Sequence, residues 1–151
     1  FAVLHTRSAD RARNWTDASW VPLATWLREE FGFTVFEVGL KPLLAGVDGV
    51  RTDACGSLSL PATAALISKA SLFVGIDSGP AHFANAVDIP RVMLLGHFFG
   101  YERYMPYSGT TQSSSNARII QWNGPASAIP LAAVQETVRA ALNARSLSEK
   151  S

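Results

Sequence analysis

The chain has 151 residues, 48% of them hydrophobic, and 13 Lys and Arg against 12 Asp and Glu leave a formal net charge of +1. A chain of this length and apolar content can bury one sizeable core, so we expect a single compact domain. Because the charges are balanced and Lys and Arg do not form a run, no nucleic-acid partner is expected.

The single cysteine, Cys55, excludes an intrachain disulfide and any multi-cysteine metal site, and no metal site is predicted. One free cysteine fits a reducing compartment, so the cytoplasm is the expected location. No apolar stretch is long enough to predict a membrane span, and no signal-peptide pattern opens the chain. Phe1 leads directly into an apolar run typical of an interior strand, so we expect the chain to be part of a longer protein.

Short β-rich runs alternate with segments of helical period along the whole chain. The predicted strands span residues 2–5, 34–38, 50–54, 72–76, 91–95 and 118–122. The predicted helices span residues 19–31, 60–70, 80–86 and 131–144. This alternation predicts an α/β fold, a Rossmann-like three-layer αβα sandwich with a mostly parallel sheet. We assign residues 1–145 to one domain and residues 146–151 to a frayed tail.

Two helix starts and one strand carry clear local signals. The first predicted helix has one apolar face, with Trp20, Leu23, Ala24, Leu27 and Phe31 at three- and four-residue steps. Pro22 is placed in its first turn, where proline is tolerated. Ser59 can cap the second helix, and the uninterrupted apolar run 72–76 is typical of a strand buried on both faces.

The turn after the fourth predicted strand is a candidate anion site. Asp77, Ser78 and Gly79 turn the chain, and Pro80 takes the first helical position, where its missing N–H costs nothing. Free N–H groups and the macrodipole at a helix start favour phosphate, and open α/β sheets bind ligands at this edge. A junction that uses these residues only for capping would have the same sequence. His82 could point a ring nitrogen at the same anion or could be a hydrogen-bonded packing residue.

The sequence D-S-G-P-A-H at residues 77–82, followed by a small-residue helix and a strand ending at Gly96, resembles the signature of glycosyltransferase family 9, usually D-[ST]-G-x-x-H. Residues 58–60 before the Ala-rich helix are similar to the family's S-L helix, and residues 5–15 with Trp20 are similar to its first loop, which carries K-x-W-P. The resemblance covers roughly residues 2–142, the C-terminal lobe of a GT-B fold in enzymes such as the ADP-heptose:lipopolysaccharide heptosyltransferases.

This resemblance implies a donor-binding lobe for a nucleotide sugar, with ADP-heptose as the family expectation. Phosphate contacts are implied for Ser78, Gly79 and His82. The hydroxyl groups of Thr6 and Ser8 would donate hydrogen bonds to the nucleotide sugar, and Leu58 would line the pocket for its nucleotide base.

The resemblance also implies two roles closer to the chemistry. Arg13 takes the position of the family's lysine, where a cation stabilises the departing diphosphate, although a planar guanidinium is not equivalent to an ammonium. Asp77 is expected to organise the turn by accepting backbone N–H groups, with a direct catalytic role as the second choice.

No cofactor besides the nucleotide-sugar substrate is implied. The acceptor, a lipopolysaccharide-type or other glycan or a lipid-linked sugar, would bind through a missing N-terminal lobe that also carries the general base. The chain alone is therefore expected to be incomplete and inactive. The full-length protein is expected in the cytoplasm, where it could lie peripherally at the inner membrane.

The alternative is a degenerate, non-catalytic domain of the same fold that binds nucleotides or proteins. Residues 39–43 offer no carboxylate where the family holds the ribose, and Arg13 replaces a lysine, whereas the intact D-S-G-P-A-H turn argues against degeneration. A serine hydrolase is rejected because Ser78 stands one place late for G-x-S-x-G. A dinucleotide site is rejected because G-x-G-x-x-G does not occur.

Overall fold

The computed structural model describes residues 1–97, 107 and 114–148, with only the backbone described for residues 145–148. The strands are β1 (Ala2–His5), β2 (Val35–Val38), β3 (Val50–Arg51), β4 (Leu72–Ile76), β5 (Arg91–Leu95) and β6 (Ala117–Gln121). The helices are α1 (Asp17–Phe31), α2 (Leu60–Ser68), α3 (Gly79–Ala86) and α4 (Leu131–Ser148), with short 3₁₀ turns at Arg11–Arg13 and Ala126–Ala128.

The six strands form one sheet in the order β3-β2-β1-β4-β5-β6, and each neighbouring pair is parallel. The predicted Rossmann-like α/β architecture is therefore confirmed. The winding reverses between β1 and β4, and ligands in such sheets bind at the carboxyl ends of the strands beside this switch point. At that edge His5 of β1 pairs with Val38 of β2 and with Gly75 of β4.

Each face of the sheet is covered by a helical layer, because alternate strand residues point to opposite faces. One core contains Leu4 and Val74 of the strands together with Leu23 of α1 and Val138 of α4. The second core, on the other face, contains strand, α2 and α3 residues such as Val3, Phe73, Met93, Ile67 and Ala84. The three layers place the starts of α2 and α3 on the same face, next to the carboxyl edge of the sheet.

Several predicted boundaries were wrong by a few residues. Helix α1 begins at Asp17, not at residue 19, so Pro22 lies in its second turn and not in the first. The helix ends where Gly32 takes a left-handed φ of 67° and donates its N–H to the Arg28 carbonyl. Strand β3 stops at Arg51, because the next residues turn, with the Cys55 N–H bonded to the Thr52 carbonyl.

The two remaining helix boundaries also differ from the sequence prediction. Helix α3 begins at Gly79, so Pro80 is its second residue. Helix α4 continues to Ser148, through the first residues of the predicted frayed tail, while residues 149–151 lie outside the described part of the chain.

Candidate functional site: a cavity at the carboxyl edge of the sheet

The turn between β4 and α3 has the features expected of an anion site. Ser78 is the N-cap of α3, and its side chain makes no capping hydrogen bond. Its Oγ is buried and has no hydrogen-bond partner among the described residues. Nothing lies within 4 Å of the position that a Cβ on Gly79 would take. The start of this helix therefore presents a hydroxyl and open space where a phosphate would meet the helix macrodipole.

A cavity of about 510 Å³ lies at this edge, between the ends of β1, β2 and β4 and the starts of α2 and α3. This volume is in the range of small-molecule sites in proteins. The lining residues are His5, Arg7, Ser8, Ala9, Gly39, Leu40, Lys41, Ala54, Gly56, Leu58, Leu60, Thr63, Ser78, Pro80 and Phe83. The N–H of Gly56 donates to the carbonyl of Gly39 at 2.8 Å, which joins the loops after β2 and β3 into one wall.

The cavity has one apolar part and one polar part. Leu40, Leu58 and Leu60 are exposed apolar side chains in its lining. Among the described residues, the lining also contains two cations, Arg7 and Lys41, and no Asp or Glu. Arg7 is paired with Asp17 at 2.5 Å, and this hydrogen bond raises the pKa of the guanidinium. The cavity therefore suits a ligand that combines an apolar or aromatic group with a negatively charged one.

Three side chains contact the carboxylate of Asp77, those of Arg13, His82 and Tyr107. We call these four residues together the Asp77 cluster. The Asp77 side chain is only 4% exposed, and its Oδ2 lies 3.4 Å from Nη1 of Arg13. Its Oδ1 accepts a hydrogen bond of 3.1 Å from the Tyr107 hydroxyl and lies 3.9 Å from Nε2 of His82. The His82 and Tyr107 rings are tilted against each other, with centroids 4.9 Å apart.

The predicted role of Asp77 as an acceptor of backbone N–H groups is therefore wrong. Its contacts in the described part of the chain come from side chains, those of Arg13, His82 and Tyr107. The error has a physical reason. A buried carboxylate needs a compensating charge or donors, and here the 3₁₀ turn Arg11–Arg13 brings a guanidinium to it, which removes the need for donors from its own turn.

The predicted contact of Thr6 with the donor stays a prediction, because its hydroxyl is engaged elsewhere in this structure. Its hydroxyl donates to Oε1 of Glu37 at 2.6 Å, both residues are buried, and Thr6 does not line the cavity. The same carboxylate accepts the backbone N–H groups of Leu43 and Leu44 at 2.8 and 2.9 Å. Since the single hydroxyl hydrogen of Thr6 is used by Glu37, it is not available to a phosphate.

Glu37 and its surroundings organise the loop that follows β2. The thiol of Cys55 donates to the Glu37 carbonyl at 3.3 Å, and burial raises the pKa of this thiol to about 12. The thiol therefore stays protonated and unreactive at neutral pH. His5 donates from its Nδ1–H to the Val38 carbonyl at 2.9 Å, and burial lowers the pKa of its ring. A neutral His5 consequently lies in the cavity lining.

The remaining predicted site residues fall into two groups on either side of the turn. Ser8, Leu58 and Ser78 line the cavity, and Gly79 begins the helix beside it. The Ser8 hydroxyl donates to the Asp10 carbonyl at 2.7 Å, so it would have to rotate to meet a ligand. Arg13, Asp77 and the half-exposed His82 form the second group. The implied phosphate contacts of Arg13 and His82 remain predictions.

Two residues of the site region were not found by sequence reasoning. Glu37 left a signal, because a carboxylate in the otherwise apolar strand V-F-E-V is unusual unless it is paired or hydrogen-bonded. Tyr107 left no local signal, since its partner Asp77 is 30 residues away. Tyr101 and Tyr104, which are near Tyr107 in the sequence, lie outside the described residues.

Over residues 1–97, 107 and 114–148, no helix has the length and apolar character needed to cross a membrane.

The sequence is similar to known glycosyltransferases. The sequence model described as "Glycosyltransferase family 9 (heptosyltransferase)" matches residues 3–120. The chain is 47% identical over 45 residues to lipopolysaccharide heptosyltransferase 3 of Escherichia coli, which covers 30% of this chain and 13% of that relative.

Solved structures extend the similarity over most of the chain. The E. coli ADP-heptose lps heptosyltransferase II superposes with a TM-score of 0.74 and 25% identity, covering 99% of this chain and 47% of that one. The E. coli heptosyltransferase WaaC with ADP-2-deoxy-2-fluoro heptose superposes with a TM-score of 0.72 and 20% identity, covering 92% and 42%. The chain thus spans less than half the length of these structures. They confirm the predicted fold, one half of a GT-B glycosyltransferase, and with the family model matching most of its residues, the chain belongs to glycosyltransferase family 9, the heptosyltransferases.

Proposed function

We propose that this chain is the donor-binding half of a glycosyltransferase and binds a nucleoside diphosphate sugar in the cavity at the carboxyl edge of the sheet. One observation carries the proposal. The cavity joins an apolar wall, which includes Leu58 and Leu60, to the start of α3, where the Ser78 hydroxyl is unpartnered among the described residues. A nucleoside fits against the apolar wall, and a diphosphate fits at the start of α3.

The donor that we propose is ADP-heptose, and the acceptor is a lipopolysaccharide-type glycan. Support comes from the relatives, which include an ADP-heptose lps heptosyltransferase and a lipopolysaccharide heptosyltransferase. The charge of the lining supports this choice, because its described residues include Arg7 and Lys41 but no carboxylate that would repel a diphosphate.

In the proposed reaction an acceptor hydroxyl attacks the anomeric carbon, and the bond between that carbon and the diphosphate oxygen breaks. The diphosphate leaves with the electron pair, and its negative charge is stabilised by the start of α3 and by Arg13. The acceptor proton passes to a base outside these 151 residues. The residues described here then supply donor binding and leaving-group stabilisation, and transfer needs a second lobe.

A second candidate is a non-catalytic nucleotide-binding or protein-interaction domain of the same fold. One observation favours it. The carboxylate of β2, Glu37, is buried and accepts hydrogen bonds from Thr6, Leu43 and Leu44, so it is not offered to a ribose in the cavity. As a protein-interaction domain, this candidate differs from the first in its response to nucleoside diphosphates.

Calorimetry with ADP, UDP and GDP on the purified chain separates the candidates. We expect binding between micromolar and millimolar strength, with ADP preferred. Ser78→Asp should abolish it, because aspartate is a good N-cap that keeps the helix start but adds a charge that repels phosphate. Thr16→Asp, which adds the same charge at the N-cap of α1, is the control and should bind ADP as the unmodified chain does. No heat with any nucleotide at several millimolar would favour the non-catalytic candidate.

A further inference from the structure

Tyr107 is the residue of the Asp77 cluster that the proposed function leaves without a role. It is 2% exposed, although it belongs to the long connection between β5 and β6. Its hydroxyl donates to Oδ1 of Asp77 at 3.1 Å, and its ring packs against His82 with centroids 4.9 Å apart. The Tyr107 side chain therefore contacts both the Asp77 carboxylate and the His82 ring at the start of α3.

Asp77 poses an electrostatic difficulty at this position. Its carboxylate is almost fully buried and directly precedes Ser78 and Gly79, where the diphosphate is proposed to bind. A carboxylate close to a phosphate is repulsive unless a cation or hydrogen-bond donor compensates its charge. In the structure its two oxygens have different partners, Arg13 at Oδ2 and Tyr107 at Oδ1.

The Arg13 contact alone does not fix the carboxylate. At 3.4 Å it is longer than a well-formed charge-assisted hydrogen bond, and Oδ2 accepts no hydrogen bond from the described residues. The Tyr107 hydroxyl supplies a second contact, because it donates a hydrogen bond to Oδ1 and so partly compensates the negative charge there. With both contacts present, Arg13 is held beside the turn and the ring of His82 is held against a rigid aromatic surface.

We propose that Tyr107 is a positioning residue for the donor diphosphate, acting through Asp77: its hydroxyl fixes the carboxylate so that Arg13 and His82 stay in place to meet the phosphates. This inference rests on the proposed function, because it assumes that the diphosphate binds at the start of α3. It predicts that the Tyr107 hydroxyl matters for diphosphates and not for nucleosides.

The first experiment compares Tyr107→Phe with the unmodified chain in the binding of ADP and adenosine. Phenylalanine keeps the ring against His82 and removes only the hydroxyl. We expect the affinity for ADP to fall by about ten-fold, the value of a lost hydrogen bond to a charged group, with adenosine unchanged. Ser114→Ala is the matched control, because it also removes a hydroxyl that donates to a carboxylate. The Ser114 hydroxyl donates to Asp88 at 2.7 Å, and Asp88 is not part of the Asp77 cluster. It should leave both affinities unchanged.

The second experiment tests whether Tyr107 acts through Asp77. In the Asp77→Asn background, Tyr107→Phe should have little further effect on ADP affinity, since the carboxylate that it orients is gone. Equal effects of Tyr107→Phe in both backgrounds, or equal losses for ADP and adenosine, would overturn the proposal and indicate a merely structural role.

A measurement on the unmodified chain avoids any dependence on variants that fold poorly. Ring resonances of Tyr107 and His82 should shift together in an NMR titration with ADP and stay in place with adenosine. If ADP binds and these rings do not respond, the role of Tyr107 is wrong while the proposed function stands. If neither ADP nor any other nucleoside diphosphate binds, the proposed function fails, and the role of Tyr107 fails with it.

Discussion

The hydroxyl of Thr6, at the end of β1, donates to Oε1 of Glu37 in β2 at 2.6 Å, and neither residue is accessible to solvent. The same carboxylate receives the N–H groups of Leu43 and Leu44. Glu37 thus connects two neighbouring strands with the loop that continues from the Gly39–Lys41 wall of the cavity. A buried carboxylate with three donors is stable where an isolated one would not be.

Replacing this carboxylate by an amide should destabilise the fold. Glu37→Gln keeps one acceptor oxygen but sets an NH₂ group against donors, so we expect the free energy of unfolding to fall by about 1–3 kcal/mol. Urea denaturation measures it. Glu29→Gln, at an exposed position of α1, is the matched control. Equal stability of the Glu37 variant and the unmodified chain would mean that the hydrogen bonds to Glu37 contribute nothing to the free energy of unfolding.

Loss of the Arg13 guanidinium should weaken the binding of diphosphates selectively. Arg13→Ala removes a cation proposed to meet the leaving group and also leaves the buried Asp77 carboxylate uncompensated. The affinity for ADP should fall about ten-fold or more, with adenosine binding unchanged. Arg11→Ala, in the same 3₁₀ turn and exposed, serves as the control. An equal loss for ADP and adenosine in calorimetry would show that Arg13 does not act on the phosphates.

The fold could be predicted from the sequence because its signals are local. The uninterrupted apolar run of β4 predicted a strand buried on both faces, and the bounds of β4 and β5 were predicted correctly. Ser59 caps α2 as expected, with its Oγ accepting the Ala62 N–H. The candidate anion site could be predicted for the same reason, since Asp77 to Pro80 are adjacent in sequence.

The contacts within the site could not be predicted, because they depend on strand register and on distant segments. Thr6 meets Glu37 because β1 and β2 lie side by side in the sheet, and nothing in the sequence near Thr6 indicates that its hydroxyl is already used. Asp77 was expected to bind its own turn, but its partners come from the loop before α1 and from Tyr107, far along the chain.

Stability should depend on pH through Asp88. Burial alone would raise the pKa of this carboxyl, but hydrogen bonds from Ser114 and from the buried Arg91 outweigh it and hold the pKa below its ordinary value. The stabilisation is therefore fully present above the unfolded-state pKa of about 3.9 and is lost as the pH falls through the lower folded-state value.

Thermal melts from neutral pH down to acid measure this dependence. Asp88→Asn is a suitable variant, because Asn tolerates the positive φ of 51° at this position. It should melt at a lower temperature than the unmodified chain at neutral pH, and the difference should narrow in acid. A difference in melting temperature that stays constant down to the lowest pH would contradict a lowered pKa of Asp88 in the folded state.

The purified chain should fold cooperatively and yet transfer no sugar. The cores on both faces of the sheet close among residues of this chain, whereas the proposed reaction needs an acceptor and a base that these residues do not provide. Missing orientation of the acceptor alone could cost roughly 7–11 kcal/mol of barrier reduction. A thermal melt combined with a sensitive transfer assay checks both parts, and robust turnover would contradict the proposed division between lobes.

An NMR titration of the isotope-labelled chain with ADP, following each backbone amide, tests most directly whether this cavity binds the donor. We expect the chemical-shift changes to concentrate at Ser8, Leu58 and Ser78 and at the start of α3, whereas adenosine should shift only the residues of the apolar wall. Absence of shifts at several millimolar ADP, or shifts confined to residues away from the carboxyl edge of the sheet, would contradict the assignment of this cavity as the donor site.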